Sequence, residues 1–378
     1  VTRRVYIEGA CIAEPRPSGI GHTARHIIQG LVESKYEVIL IVPFNKVRYV
    51  PVDIASNVTI KRIFLPGKLY NAAVRYNTLP PMDIFFGRGV YIFPNFKNWP
   101  LISSVSITYI HDVYFKVQPK HIEPRNYAFL ERCLGRFIQR SSSIVTVSNH
   151  AKYELMKYYT VDGKKITVIP NGVDTDIFYP RGADEVVAIT SKYDLVPKKY
   201  FMFLSNLEPR KNIEKVLDAF KDYCDKVEGG EKKTALLLVG GMGWNNEAIL
   251  RRIQQLQLQG YKICKPKKYV PDEDIPSLLC GAVALLHPAL YEGFGISPLQ
   301  AIACGIPVIV SNTSSLPEVM GASYVDYVDP EDTQSIVKRM EQVKTELHYD
   351  KSYGIQRARS MSWRRSSEKL RRLIDNYL

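Results

Sequence analysis

Glu292 stands in "AVALLHPALYEGFGISPLQAIACGIPVIVSN", between an apolar run and the turn Gly293-Phe294-Gly295. A carboxylate in that setting has no helix start to cap. Its most direct chemistry is hydrogen bonding to hydroxyl groups. Gly293 and Gly295 hold an open turn that exposes backbone N–H groups. Ser297 is expected as an N-cap, Pro298 as the first helical residue and Gly305 as the stop. Gln300 then falls in the first turn. It reads either as a ligand-binding amide or as the second half of a Ser297-x-x-Gln300 capping box.

Arg210 and Lys211 lie in "SNLEPRKNIEKVLDAF", side by side where a helix begins. The positive end of a helix dipole disfavours two cations. An anion should compensate, and a diphosphate would suit a forked Arg and a point-charge Lys. The alternative is an ordinary exposed turn. Asn212 is expected to cap the helix. In "RPSGIGHTARHIIQGL", Gly19 and Gly21 let the backbone approach an anion at a helix start. A plain strand-to-helix turn explains them equally well, and Ala24 breaks the G-x-G-x-x-G dinucleotide pattern. His111-Asp112 closes the apolar run "SVSITYI", either as a site histidine or as a capping Asp beside an incidental His.

Metal chemistry is not expected. The six cysteines form no C-x-x-C pair and have no His at zinc-ligand spacing, so they read as reduced thiols. Asp174 and Asp176 by themselves invite a metal-binding reading, whereas Asp272, Glu273 and Asp274 read as a helix-start cluster.

These residues need a scaffold. Apolar strand-like runs alternate with segments of 3.6-residue periodicity, such as "NIEKVLDAFKDYCDK". The runs are "RRVYIEGA", "YEVILIVP", "SVSITYIHD", "SSIVTVSN" and "KITVIPNGV", then "KYFMFLSN", "KTALLLVG", "AVALLHPAL", "IPVIVSN" and "SYVDYVDP". Such alternation implies parallel sheets covered on both faces. The pattern restarts at Tyr200 after a charged stretch, which places a linker near 178–198. The chain is α/β, with two Rossmann-like doubly wound domains expected to face each other across a cleft that holds the site.

Composition narrows the class. With 378 residues, 46% hydrophobic and 24% charged, the chain is globular. No run is apolar and long enough to span a bilayer, and the first residues read as a strand rather than a signal peptide. Most of the net charge of +13 falls in residues 1–178. A positive field of that kind suits phosphorylated substrates, nucleic acid or anionic lipid, or simply a soluble basic surface. Arg132, Arg136 and Arg140 recur every four residues in "NYAFLERCLGRFIQR". That stripe reads as a surface helix on the core or as an interfacial helix on anionic lipid. The aromatics of "DIFFGRGVYIFPNFKNWP" read mostly as core strand.

The segments "EPRKN", "PALYEGFGISPLQAIACGIPVIVSNTSSLPEV" and "VDP" resemble retaining GT-B glycosyltransferases of family 4. "SGIGHTARHI", "SITYIHDVYF", "SSIVTVSNHAK", "ITVIPNGVDTDIF" and "MSWRR" extend the likeness over nearly the whole chain. The resemblance implies an acceptor-binding domain at 1–178, a nucleotide-sugar domain at 199–361, and a last helix at about 362–378 crossing back to the first. It implies Glu292, His111, Arg210 and Lys211 as the catalytic set. Gly19, Gly21, Gly293, Phe294, Gly295, Ile296, Gln300 and Val270 would bind the donor. Two departures stand out. Gln300 replaces the family's second Glu, a ribose ligand, and Ser205-Asn206 replaces a frequent Gly-Arg.

The implied reaction is same-face transfer of a sugar, with mannose from GDP-mannose favoured, to a glycan or lipid-linked acceptor in polysaccharide assembly. Cations and helix dipoles would stabilise the leaving diphosphate, with no metal or other cofactor. The expected location is cytoplasmic, peripheral on the inner face of a membrane if the Arg stripe meets anionic lipid, with no nucleic acid bound. The competing readings are a UDP-sugar transferase, a GT-B epimerase, and a non-enzymatic basic protein binding nucleic acid or membrane.

Overall fold

The computed structural model describes residues 3–15, 18–227, 233–321, 325–345 and 350–378. The chain divides into two compact units: residues 1–172 with 363–378, and residues 173–362.

Unit 1 carries seven strands: β1 (Arg4–Glu8), β2 (Glu37–Pro43), β3 (Thr59–Ile63), β4 (Val90–Phe93), β5 (Val105–Tyr109), β6 (Ser143–Thr146) and β7 (Ile166–Val168). Their order in the sheet is β3-β2-β1-β4-β5-β6-β7, with every pair parallel. The continuous apolar runs exist because both faces are covered. Val5 and Ile7 join one core cluster while Tyr6 between them joins the other. Val38, Leu40 and Val42 likewise face away from Ile39 and Ile41.

Unit 2 carries β8 (Tyr200–Leu204), β9 (Ala235–Val239), β10 (Lys262–Cys264), β11 (Leu285–His287), β12 (Val308–Ser311) and β13 (Asp326–Val328). The order is β10-β9-β8-β11-β12-β13, again parallel. In each sheet the winding direction reverses once, between β1 and β4 and between β8 and β11. At such switch points the connecting loops part and leave room beyond the strand ends.

The helix Trp363–Asp375 belongs to unit 1 although it ends the chain. Leu370, Leu373 and Ile374 sit in the cluster built on β1, β2 and helix Gly19–Glu33. Trp363 stacks on His26 at 4.3 Å between ring centroids. Ser366 Oγ donates to the Pro170 carbonyl at 2.6 Å, and Tyr36 Oη to Asp375 at 2.6 Å.

Three local expectations change. The stretch 178–198 contains helix Ala183–Ser191, whose Val186 and Thr190 are buried within unit 2, so it is structured rather than a bare linker. The Arg132/Arg136/Arg140 stripe does not form a free cationic face. Arg136 donates to the Val74 and Arg75 carbonyls at 3.0 and 3.1 Å, at the end of helix Gly67–Tyr76. Carbonyls at a helix end carry the negative end of its dipole and attract a guanidinium. Arg132 lies over the Tyr76 ring at 4.9 Å. Asn212, expected as a side-chain cap, instead adopts φ 59° and turns its amide toward strand-end carbonyls. Among the described residues, no helix is long and apolar enough to cross a membrane.

Leu370 is 1% exposed. Leu370→Ala should cost about 2–5 kcal/mol, the range for truncating a buried leucine. Urea unfolding followed by a reporter in unit 1 checks this; a wild-type midpoint would show that the helix adds nothing to that core.

Candidate active site

The site in unit 2 is built where β8 and β11 part. After β8 the chain makes one 3-10 turn, Pro209–Lys211, before helix Ile213–Val227 begins. After β11 it runs through Pro288 and Leu290 to Glu292. Two interactions join the loops. Leu290 N–H donates to the Arg210 carbonyl at 3.0 Å. Asn212 Nδ2 donates to the carbonyls of Pro288 (2.9 Å) and Pro330 (2.7 Å), tying the helix start to the ends of β11 and β13.

This register brings Arg210, Lys211 and Glu292 together. Lys211 Nζ donates to Glu292 Oε1. His287 Nε2 donates to the same oxygen at 2.8 Å. Arg210 reaches Glu292 Oε2 at 3.7 Å and Glu208 at 3.0 Å. Glu292 is 7% exposed and His287 1%. The carboxylate's backbone is also held: its N–H donates to Ser314 Oγ at 3.0 Å, and its carbonyl accepts from Ser315 Oγ at 2.8 Å. The anion that the two cations call for is therefore supplied in part by the protein itself.

The helix after Glu292 starts earlier than the Ser-Pro pair suggests. It spans Ile296–Ala303, and Gly295 at φ 95° occupies the N-cap position without a side-chain cap bond. A side chain on Gly295 would be strained at that φ and would meet Leu316 Cδ2 at 2.7 Å. Ser297 and Pro298 consequently lie inside the first turn, no Ser297–Gln300 capping box forms, and Gln300 is half-buried without that structural duty. Gly305 does follow the helix end, at φ 71°. Phe294 and Val270 are buried and Ile296 is half-buried.

Sequence reasoning did not single out His287, Ser314, Ser315 or Gly240. His287 is hidden in an apolar strand and Ser314-Ser315 in a polar loop. Gly240 has φ 144°, and a Cβ there would fall 1.9 Å from the Ser205 carbonyl oxygen. "VGG" directly after a strand was the available signal. Asn206 Oδ1 accepts from Gly241 N–H at 3.2 Å, so Asn206 orders this loop.

In unit 1, His111 follows β5 and is 8% exposed. Its Nε2 lies 2.7 Å from the Pro94 carbonyl. A carbonyl only accepts, so Nε2 carries the hydrogen and Nδ1 is the ring's acceptor. Asp112 Oδ1 accepts from Tyr114 N–H at 3.1 Å, a local turn bond. Gly19 opens helix Gly19–Glu33, with Gly21 buried in its first turn. Asp174 takes the N–H of Asp176 at 3.0 Å, as a turn residue does, and Asp274 binds Tyr193 Oη at 2.7 Å at the start of helix Ile275–Gly281.

Comparison with known proteins adds a second line. Residues 17–177 match Glycosyltransferase Family 4, and residues 190–359 match Glycosyl transferases group 1. The chain belongs to the family 4 glycosyltransferases. It is 28% identical over 277 residues to the O-antigen chain mannosyltransferase B of Escherichia coli, covering 72% of this chain and 71% of that one. It is 29% identical over 263 residues to the O-antigen chain mannosyltransferase RfbU of Salmonella typhimurium, covering 69% and 67%. Against the serotype-specific mannosyltransferase WbdA of Escherichia coli, 64% of this chain matches but only 29% of that longer protein. The fold matches the sucrose-phosphate synthase of Thermosynechococcus elongatus with TM-score 0.75 at 15% identity, covering 99% of each chain. It matches Anabaena Alr3699/HepE, solved in complex with UDP-glucose, with TM-score 0.73 at 14% identity over 99% and 98% of the chains. The two parallel α/β sheets are those of the GT-B fold. The chain is thus a retaining hexosyltransferase of a family that uses nucleotide-sugar donors.

Electrostatics explain how this transferase keeps Lys211 and Glu292 charged where little water reaches them, with half-buried Arg210 beside them. Burial alone would raise the Glu292 carboxyl. The Lys211 charge, the His287 hydrogen bond and Arg210 outweigh it and hold the group well below the usual carboxylate range. Burial and the neighbouring Arg210 lower Lys211, while Glu292 and Glu208 pull it back. Burial lowers His287 against the pull of Glu292, consistent with a neutral ring donating through Nε2.

Glu292→Gln leaves Lys211 buried without its counter-charge. The expected loss at pH 7 is about 3–5 kcal/mol, as for breaking a buried ion pair from one side. Because the folded-state value is depressed, the carboxylate's contribution is fully present above the unfolded value of about 4.3 and is lost as pH falls through the folded one. The stability gap between wild type and variant should therefore be level from pH 7 to about pH 5 and narrow below about pH 4. Urea melts across that range measure it; a gap unchanged at pH 3 would contradict the assignment.

Proposed function

We propose that this glycosyltransferase moves mannose from GDP-mannose to a glycan or lipid-linked acceptor in polysaccharide assembly. The observation that carries the donor side is the Arg210–Lys211–Glu292 cluster at the open end of β8 and β11, beside the Ile296–Ala303 helix start. It presents two cations, held by two carboxylates, next to backbone N–H groups that a helix leaves unpaired. The sugar and nucleotide are proposed from the O-antigen mannosyltransferases named above, which are similar over about two thirds of their length.

In the mechanism, Arg210, Lys211 and the start of that helix stabilise the departing diphosphate as its charge grows. A phosphate oxygen of the leaving group takes the acceptor proton, so no protein base is required. Glu292 holds Lys211 in place and offers Oε2 to sugar hydroxyls. Gln300, relieved of capping, is assigned to the ribose, where an amide bonds without the charge assistance of a carboxylate. Gly293, Phe294, Gly295, Ile296 and Val270 line the donor. From unit 1, His111 is assigned to the sugar through Nδ1, with Gly19 and Gly21 assigned to the diphosphate. Unit 1 binds the acceptor.

Donor hydrolysis measured with GDP-mannose, GDP-fucose, UDP-glucose, UDP-galactose and ADP-glucose tests the reading. Turnover should be highest with GDP-mannose. Preference for a UDP-sugar would replace the donor assignment and leave the family untouched.

Arg210→Ala should lower turnover at saturating donor by roughly 10²–10³, the scale for one preorganised electrostatic partner. Arg210→Lys should recover only part, because the fork is lost. Steady-state kinetics on protein checked by thermal melting decide this; near-normal turnover of folded Arg210→Ala would remove the residue from the mechanism.

A further inference from the structure

Unit 1 contains a polar cavity of about 100 Å³ that none of the residues discussed above explains. It lies beyond the carboxyl ends of β1, β2 and β4, where the sheet order reverses, lined at those ends by Glu8, Pro43 and Asn95. Its floor is Glu8, 3% exposed, and Tyr70, 1% exposed. A carboxylate that deep is costly unless it is bonded.

The surrounding hydrogen bonds fix its orientation. Trp99 Nε1 donates to Tyr70 Oη at 2.8 Å. An indole N–H only donates, so Tyr70 must pass its own hydrogen onward, and it donates to Glu8 Oε1 at 3.0 Å. Ala10 N–H donates to the same oxygen at 3.3 Å. Oε1 is thus committed, and these bonds leave the acceptor capacity of Oε2 to a residue that lines the cavity.

The cavity's charges balance. Lys46 pairs with Glu14, and Lys97 donates to Asn71 Oδ1 at 2.9 Å near the exposed rim. Two lysines face two glutamates. With a buried carboxylate as floor, a phosphate or a carboxylate entering here would meet like charge. Donors on Lys46, Asn71 and Lys97 share the lining with acceptors on Glu8, Glu14 and Asn95, which suits a ligand whose groups both donate and accept. The volume equals roughly three waters at ~30 Å³ each, enough for the hydroxyl-bearing edge of one ring rather than a chain of them.

We propose that this cavity binds a neutral, hydroxyl-rich sugar ring of the acceptor, with Glu8 accepting its hydroxyls at the floor and Asn71 and Lys97 bonding it at the rim. The inference rests on the acceptor-binding reading of unit 1. It adds the residues and the chemical class: an uncharged sugar unit is recognised here, not the phosphate of a lipid carrier.

Saturation-transfer NMR on the full chain tests it, with the α-methyl glycosides of mannose, galactose and N-acetylglucosamine as probes. Glu8→Gln keeps an oxygen for Tyr70 and Ala10 and removes the charge, so it should fold. Asn71→Ala changes an exposed rim residue and serves as the second variant. At least one glycoside should bind the wild type. Its affinity should fall roughly 10- to 100-fold in Glu8→Gln, the scale of a lost hydrogen bond to a charged group, and by a smaller factor in Asn71→Ala. Inorganic phosphate should not displace it. Binding of none of the three glycosides, equal binding by wild type and both folded variants, or displacement by phosphate would overturn the proposal. Donor hydrolysis by the wild type is the separate arm. If it is absent while a glycoside binds through Glu8, the donor reading fails and this one stands. If it is present while glycoside binding ignores Glu8, this inference alone falls.

Discussion

The buried contact between Lys211 and Glu292 is the interaction on which the candidate site of unit 2 depends. Two cations stand at a helix start, where the peptide dipoles oppose them. One of them is 81 positions in sequence from the carboxylate that holds it. Without Glu292, burial and Arg210 would both press Lys211 toward its neutral form. Without Lys211, burial would press Glu292 toward protonation. Each charge favours the other, with Glu208 adding to the pull on Lys211 and His287 and Arg210 adding to the pull on Glu292. Buried pairs of this kind are weak evidence for stability, since apolar replacements of similar size often do as well. The retained charges therefore point to function.

Topology makes the pair possible. β8 and β11 are neighbours in space but are separated in sequence by β9, β10 and their helices. The loops that leave them diverge, and the Asn212 amide and the Leu290–Arg210 bond set how far. Ser314 and Ser315 then fix the Glu292 backbone from the next loop in the sheet order. The same logic in unit 1 leaves a polar hollow at the β1–β4 reversal, with Glu8 at its floor. In both units a carboxylate lies at or just beyond the end of a strand beside the point where winding changes direction.

Much of this was legible in the chain, for identifiable reasons. Ten apolar runs marked strands because parallel strands buried on two faces carry little polar residue. β3, "TIKRI", was not among them, because it is an edge strand with two cations. β10, "KIC", is three residues long and has no periodicity to read. Glu292 was legible because a carboxylate between an apolar run and a glycine turn has no local duty. Its partners were half legible: Arg210 and Lys211 were, by their misfit with a helix dipole, whereas His287 was not, because one imidazole in a strand resembles a core residue. The capping expectation for Ser297 failed because Gly295 could adopt a left-handed φ that the helix start accepts. The Arg stripe stayed ambiguous because a four-residue spacing cannot tell lipid from the carbonyls of a neighbouring helix end.

The most direct measurement of the central claim is a double-mutant cycle on stability. Lys211→Met, Glu292→Gln and the double variant are compared with wild type by urea denaturation at pH 7. If the two charges sustain each other, each single change is costly, and the double variant loses less than the sum of the two single losses. The coupling should reach about 2 kcal/mol, within the range for contacting residues. Losses that simply add, with coupling near zero, would show that Lys211 and Glu292 are held independently and would contradict the account.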